Sequence, residues 1–290
     1  IRAYIGKEPE RTENPTYSLE KYSEETGCQL GTLKKWVRAI ERKKQVIFYG
    51  PPGTGKTYVA NKLADHLVGG SDGLKEIVQF HPAYSYEDFI QGIRPQSEDG
   101  EKLTYPVVPG RFLEFCKQAE SRAGQCVLII DEINRANISE VFGELMFLLE
   151  YRDQEIPLAG GIRFRIPDNV FIVGTMNTAD RSIALVDHAL RRRFAFLKLG
   201  PNYDVLQKYL SEIDFPVESL IKVLQNMNRQ IGDPHYEIGI SFFLRTDLSQ
   251  QIKDIWEMEI EPYLEEFFFD QPEKVNSFRW DTVEADITNE

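Results

Sequence analysis

The stretch Gly50-Pro51-Pro52-Gly53-Thr54-Gly55-Lys56-Thr57 decides how the rest of this 290-residue chain is read. It is a complete G-x-x-x-x-G-K-[ST] loop, it follows the apolar run Val46 to Tyr49, and it precedes a helical pattern from about Tyr58. Strand, loop and helix in that order are what phosphate binding needs. Glycines let backbone N–H groups close round phosphate oxygens at a helix N-terminus, the lysine reaches the β and γ phosphates, and the threonine hydroxyl serves Mg²⁺. Gly50 through Thr57, with Tyr58 beside them, are the candidate nucleotide-binding residues, and Thr57 is the first candidate metal ligand.

Outward from this loop, short apolar runs alternate with amphipathic helices: Val46 to Tyr49, Ile77 to Phe80, Val127 to Ile130, Val170 to Val173 and Phe194 to Leu199. Such runs suit strands of a parallel sheet buried on both faces, flanked by helices. Gly92 to Gly110 and Tyr151 to Pro167 interrupt the alternation and read as loops or small hairpins on the sheet's rim. Leu19 to Lys43 reads as helical pieces broken at Gly27 and Gly31, with Leu33, Trp36, Val37 and Ile40 on one face. After Gly200-Pro201 the strand runs stop, and Tyr203 to Phe269 read as helices whose aromatic stripe, Trp256, Tyr263, Phe267, Phe268 and Phe269, is expected in the core. The expected division is a lead-in over 1–44, an α/β nucleotide-binding core over 45–200 and a helical lid over 201–290.

Three further patterns carry chemistry. Val127 to Ile130 ends in Asp131-Glu132; alone this pair reads as a helix N-cap, but beside a P-loop it is the Walker B pattern. Asp131 then holds Mg²⁺ through water and Glu132 orients and deprotonates the water that attacks the γ-phosphate. Phe171 to Met176 leads into Asn177, a candidate sensor holding that water, although an amide after a strand also serves as a turn former. Arg191-Arg192-Arg193 closes a helix before an apolar strand. The cluster complements the helix dipole, or it presents an arginine finger to the nucleotide of a neighbouring subunit. The residues do not choose between Arg192 and Arg193 for that role, and Arg191 is left to packing or the interface.

A formal net charge of −12 argues against a chain that coats nucleic acid by itself, so DNA contact is expected to be local or carried elsewhere. Cys28, Cys116 and Cys126 form no C-x-x-C pair, which fits a reducing cytoplasm. His66, His81, His188 and His235 lack metal-ligand spacing. No apolar stretch approaches the roughly 20 residues that span a bilayer. The chain begins at Ile1, from which we expect an upstream segment that holds specificity. The only Glu-x-Lys triplet, Glu41-Arg42-Lys43, has no Asp before it, so DNA cutting is expected of a partner.

The stretch Met176-Asn177-Thr178-Ala179-Asp180-Arg181-Ser182 resembles the signature of the McrB family, AAA+ ring proteins of the McrBC modification-dependent restriction system. Asp131 to Asn137, Tyr84 to Gly92 and Leu264 to Asp270 are similar to McrB sequence as well, so the resemblance runs from about residue 45 to 270. It implies an AAA+ P-loop core with a C-terminal helical lid, a hexameric homo-oligomeric ring that hydrolyses GTP with Mg²⁺, and an McrC-like nuclease partner. It also implies that modified cytosines in DNA are recognised by a separate N-terminal domain or by the assembled complex. Within matching motifs, Arg135 and Arg181 become candidates for phosphate or inter-subunit contacts.

Two departures bear on the lid and the base. The lid shows no arginine motif of the second-sensor kind; Arg229 and Arg245 are only candidate substitutes, which leaves nucleotide sensing by the lid open. Asn61-Lys62-Leu63-Ala64-Asp65 has the wrong spacing for the guanine-reading Asn-Lys-x-Asp and lies in the helix after the P-loop. Guanine preference therefore comes from the resemblance alone, and ATP is not excluded. The competing readings are an ATP-driven AAA+ remodeller of the MoxR or dynein-like kind, and a binding module that uses nucleotide as structural glue.

Overall fold

The computed structural model of the chain describes residues 12–98, 102–159, 161–179, 188–211 and 213–288. Ser18 caps α1 (Leu19–Thr26) by accepting from Lys21 N–H, and Gly27 ends it in the left-handed region at φ 65°. Helix α2 (Leu30–Lys43) then runs through Gly31, so only Gly27 is a break. An exposed glycine in a first turn costs about 1 kcal/mol, too little to interrupt a helix whose Leu33, Trp36 and Ile40 are buried. Val37 is half-buried beside them.

The strands follow in chain order. They are β1 (Gln45–Gly50), β2 (Lys75–Gln79), four short strands β3 (Gln91–Ile93), β4 (Gln96–Glu98), β5 (Lys102–Thr104) and β6 (Val107–Pro109), then β7 (Cys126–Asp131), β8 (Ile156–Pro157), β9 (Arg163–Phe164), β10 (Val170–Asn177) and β11 (Ala195–Lys198). Between them lie α3 (Lys56–Val68), α4 (Tyr86–Phe89), α5 (Arg111–Glu120), α6 (Ile138–Phe142), α7 (Leu145–Glu150) and α8 (His188–Arg193).

The main sheet has the order β11-β1-β10-β7-β2. Strand β10 pairs with β7 in parallel, Val170 opposite Cys126 and Gly174 opposite Ile130, and β2 pairs in parallel with the other side of β7. Cys126 to Ile130 are fully buried. That explains the unbroken apolar run, since a central strand covered on both faces has no solvent side to alternate with. The two interrupting segments are antiparallel hairpins, β3 with β6 and β4 with β5 in the first, β8 with β9 in the second.

Packing divides the chain into two compact units. One comprises Ile1–Ile47, Ala60–Thr175 and Leu185–Phe196; the other comprises Phe48–Val59, Met176–Ala184 and Leu197–Glu290. In the first, Phe89 is fully buried and its ring meets those of Phe80, Phe112 and Phe142.

The second unit holds α9 (Tyr203–Leu210), α10 (Val217–Ile231), α11 (Leu248–Ile255), α12 (Glu261–Phe267), α13 (Pro272–Asn276) and α14 (Trp280–Thr288). Leu220, Leu224, Met227, Leu248, Trp256 and Leu264 are among the residues of one buried apolar cluster. Each fully buried side chain of this size contributes roughly 1.5–3 kcal/mol. Trp256 and Phe268 of the aromatic stripe are buried, and Tyr263 and Phe267 pack partly against the cluster. Phe269 does not join them: it is 87% exposed in the turn after α12, where the helical period that carried the stripe has ended.

Candidate functional site

The P-loop belongs to the second unit. Gly53 and Gly55 both have φ +76°, a conformation that penalises any side chain, which is why glycine stands at these two positions. A Cβ at Gly55 would meet nothing within 4 Å, so there the requirement is the backbone alone. Lys56 opens the 13-residue α3 and is 8% exposed; its Nζ donates to Pro51 O at 2.7 Å, and Thr54 Oγ1 donates to the same oxygen at 2.9 Å. A left-handed glycine immediately before a helix N-terminus turns backbone N–H groups toward one concavity, and the unhindered side of Gly55 leaves room for phosphate oxygens there. Thr57 is half-buried and Tyr58 exposed on the first turn.

The acidic pair belongs to the first unit, where a third residue organises it. Thr175, 2% exposed on β10, donates its hydroxyl proton to Asp131 Oδ1 at 2.5 Å and accepts the backbone N–H of Glu132 at 3.1 Å. One hydroxyl thus sets both the carboxylate of Asp131 and the chain direction after it. Glu132 sits at φ 52°, ψ 45°, and only it and Lys44 among the described non-glycine residues have positive φ. Holding a side chain there costs on the order of 1 kcal/mol or more, the kind of local strain that concentrates at working sites. The Glu132 carboxylate is paired with Arg135 Nε at 2.7 Å. Both side chains are substantially exposed, so the pair orients the carboxylate and adds little stability.

The motif assignments missed Thr175 as an organiser, because a threonine inside a β-rich run has an ordinary reason to be there. Asn177 is the last residue of β10 and half-buried. The next residue, Thr178, is buried; its N–H donates to Gly50 O at 3.0 Å and its hydroxyl to His235 O at 2.8 Å.

The arginines diverge. Arg192 and Arg193 share the carboxylate of Glu150 at 3.1 and 3.4 Å, but the Arg192 side chain is 76% exposed and that of Arg193 only 18%. Lys43 Nζ donates to Arg192 O and the buried Gln45 Nε2 to Arg193 O, satisfying carbonyls at the C-terminus of α8. Arg191 lies 5.9 Å from the Phe196 ring centroid, in keeping with a packing role. Arg181 lies outside the described residues. Arg229 and Arg245 are exposed on the lid, and Arg245 pairs with Asp247. Among the described residues no cluster of three His, Cys, Asp or Glu side chains could hold a metal, and no helix is long and apolar enough to cross a membrane.

In the sheet, β10 is inserted between the strand that feeds the P-loop and the strand that ends in the acidic pair. A helical lid follows, and together these define an AAA-type P-loop nucleoside-triphosphatase domain. Residues 45–194 match the family model of the AAA domain, dynein-related subfamily, and residues 219–276 match that of the McrB alpha-helical lid domain. The chain belongs to the dynein-related subfamily of AAA domains, in its McrB-like form.

Among characterised relatives, it is 39% identical over 294 residues to the type IV methyl-directed restriction enzyme EcoKMcrB subunit of Escherichia coli K12, with 92% of this chain and 63% of that protein covered. It is 30% identical over 245 residues to the type II restriction enzyme BsuMI component YdiS of Bacillus subtilis 168, with 70% and 67% covered. A Lon protease of Aquifex aeolicus is 26% identical over 253 residues, with 79% of this chain but 29% of that protein covered. The chain thus spans about two thirds of the length of the two restriction-enzyme relatives.

Proposed function

We propose that the chain is the GTP-hydrolysing motor domain of a modification-dependent restriction system, working in a ring and driving a separate McrC-like nuclease. The observation that carries this reading is the Thr175 hydroxyl bridging Asp131 and the N–H of Glu132, which sets an acid in a strained backbone one residue beyond the metal-binding carboxylate. Chains that use nucleotide only as glue have no need of a strained acid. The preference for GTP over ATP, the ring and the nuclease partner are part of this proposal, and similarity to the McrB lid and to the restriction-enzyme relatives supports them.

In this reading the division is a lead-in over 1–44, a core over 45–200 and a lid over 201–290. Gly50 to Thr57, with Tyr58, bind the triphosphate, and Lys56 leaves Pro51 O for the β and γ phosphates. Thr57 and Asp131 would hold Mg²⁺; hydroxyl and carboxylate oxygens are the hard donors it takes, and the Thr175 bond fixes the Asp131 rotamer. When bound, that ion neutralises charge on the phosphate oxygens. Glu132, steered by Arg135, accepts a proton from the attacking water, and Asn177 holds that water in line. Arg192 reaches the nucleotide of the neighbouring copy, while Arg193 stays with Glu150 and supports α8. Arg181 is assigned to phosphate or inter-subunit contact.

The DNA target is read outside this domain or by the assembled complex in the cytoplasm, in keeping with a net charge of −12. Steady-state hydrolysis of GTP and ATP side by side, over a range of protein concentrations and with Lys56→Ala as the blank, tests the proposal. Preference for GTP with activity per subunit rising with concentration supports it, whereas preference for ATP transfers the reading to an AAA+ remodeller.

A further inference from the structure

The second unit contains a hydrogen-bond chain that runs from the middle of a lid helix to the P-loop. Asn228, buried on α10, spends its side-chain amide on both backbone groups of one residue: Oδ1 accepts from Ile238 N at 2.7 Å and Nδ2 donates to Ile238 O at 3.0 Å. The same Nδ2 also donates to the Tyr203 hydroxyl at 2.8 Å. One residue on, Gly239 N–H donates to Pro52 O at 3.0 Å, and two residues further Ser241 N–H donates to Gly53 O at 2.9 Å. A Cβ at Gly239 would lie 2.1 Å from the Gly53 carbonyl carbon, and one at Gly53 would lie 2.6 Å from the Phe242 ring. Just past the end of β10, Thr178 donates its N–H to Gly50 O and its hydroxyl to His235 O. The segment from His235 to Ser241 therefore holds the first half of the P-loop, at Pro52 and Gly53 directly and at Gly50 through Thr178, and Asn228 fixes that segment to the lid core.

A loop with left-handed glycines at 53 and 55 has little backbone preference of its own, so its geometry is set by what binds it. Two carbonyls of this loop are bound by the lid segment, at an approach only glycine permits. We propose that Asn228 and Gly239 are positioning residues that make P-loop geometry and lid position one equilibrium, so that the lid senses bound triphosphate through the P-loop backbone rather than through an arginine on the lid. The inference rests on reading the P-loop as the nucleotide site. By linkage, any change the triphosphate imposes on the lid segment must be returned as a change in triphosphate affinity when that segment is altered.

The test compares the whole chain with Asn228→Ala and with Leu220→Ala, which removes buried packing on the same helix without touching the hydrogen-bond chain. Hydrogen exchange without nucleotide should be about tenfold faster at the amides of residues 53–57 in Asn228→Ala, corresponding to one lost buried hydrogen-bond pair. Leu220→Ala should raise exchange in the lid alone. The dissociation constant of a fluorescent non-hydrolysable GTP or ATP analogue should rise about tenfold in Asn228→Ala and stay within about twofold in Leu220→Ala. Saturating analogue should in turn slow exchange at Gly239 and Ser241. Wild-type exchange at 53–57 in Asn228→Ala, or equal effects of Asn228→Ala and Leu220→Ala on affinity, would overturn the inference. Failure of the unaltered chain to bind either analogue would sink the nucleotide reading instead, and the exchange comparison would still decide the coupling.

Discussion

Thr175 Oγ1 stands 2.5 Å from Asp131 Oδ1, and the same oxygen receives the N–H of Glu132. Thr175→Val keeps the shape and removes both bonds, leaving a part-buried N–H and a carboxylate oxygen without this partner. Hydrolysis should fall about 10–100-fold, as for loss of a group that orients a metal-binding residue, and stability should drop by about 1–3 kcal/mol. Thr175→Ser should restore most of both. Equal turnover in all three proteins would remove Thr175 from the site.

Glu132, the proposed general base, stands in a left-handed backbone conformation. Glu132→Gln should bind triphosphate as the parent does and lose about 10²–10⁴-fold in turnover, the usual weight of a general base. Glu132→Gly should lose turnover equally, yet its melting temperature should be unchanged or higher, because release from the left-handed conformation offsets the extra chain entropy of glycine, each about 1 kcal/mol. A Glu132→Gly protein that is clearly less stable would show that the residue is held for packing.

Exposure separates the two arginines that share Glu150. Arg192→Ala should leave nucleotide affinity and melting temperature near those of the parent, while lowering turnover about 10³-fold at concentrations where copies associate. Arg193→Ala should act first on stability, since its largely covered guanidinium helps hold Glu150. Mixing Arg192→Ala with Lys56→Ala subunits should restore some turnover if the arginine acts on a neighbour's site, and none if it acts within its own chain.

The cap of α4 makes an acid-sensitive contribution. Hydrogen bonds from Ser85, then Arg94, hold the Asp88 carboxyl below its ordinary value. A depressed carboxylate stabilises the fold above its unfolded pKa, and that contribution is lost as pH falls through the folded value. Asp88→Asn should therefore lower the melting temperature at pH 7 by the equivalent of about 1 kcal/mol, a typical cap. Its melting temperature should decline less steeply than the parent's below about pH 4, the ordinary range for aspartate. Parallel curves from pH 7 to pH 3 would exclude the cap as a titrating contributor.

Sequence alone determined the order of elements, the P-loop, the acidic pair and the helical lid. These are local patterns: a glycine-rich loop between a strand and a helix, an apolar run ending in two carboxylates, and helical periodicity after strands cease. It misplaced a break at Gly31 and a core aromatic at Phe269, because propensity and stripe period say nothing about where a helix is supported or ends. Tertiary structure alone decided that Thr175 organises Asp131 and Glu132, that Glu132 is strained, and that Arg192 rather than Arg193 is exposed. It alone joined Asn228 to Gly239 and the P-loop. Those relations pair residues as far apart as 44 and 187 positions in the chain, from Asp131 to Thr175 and from Pro52 to Gly239. A hydroxyl or an amide becomes specific only when folding has chosen its partner and excluded the water that would otherwise replace it.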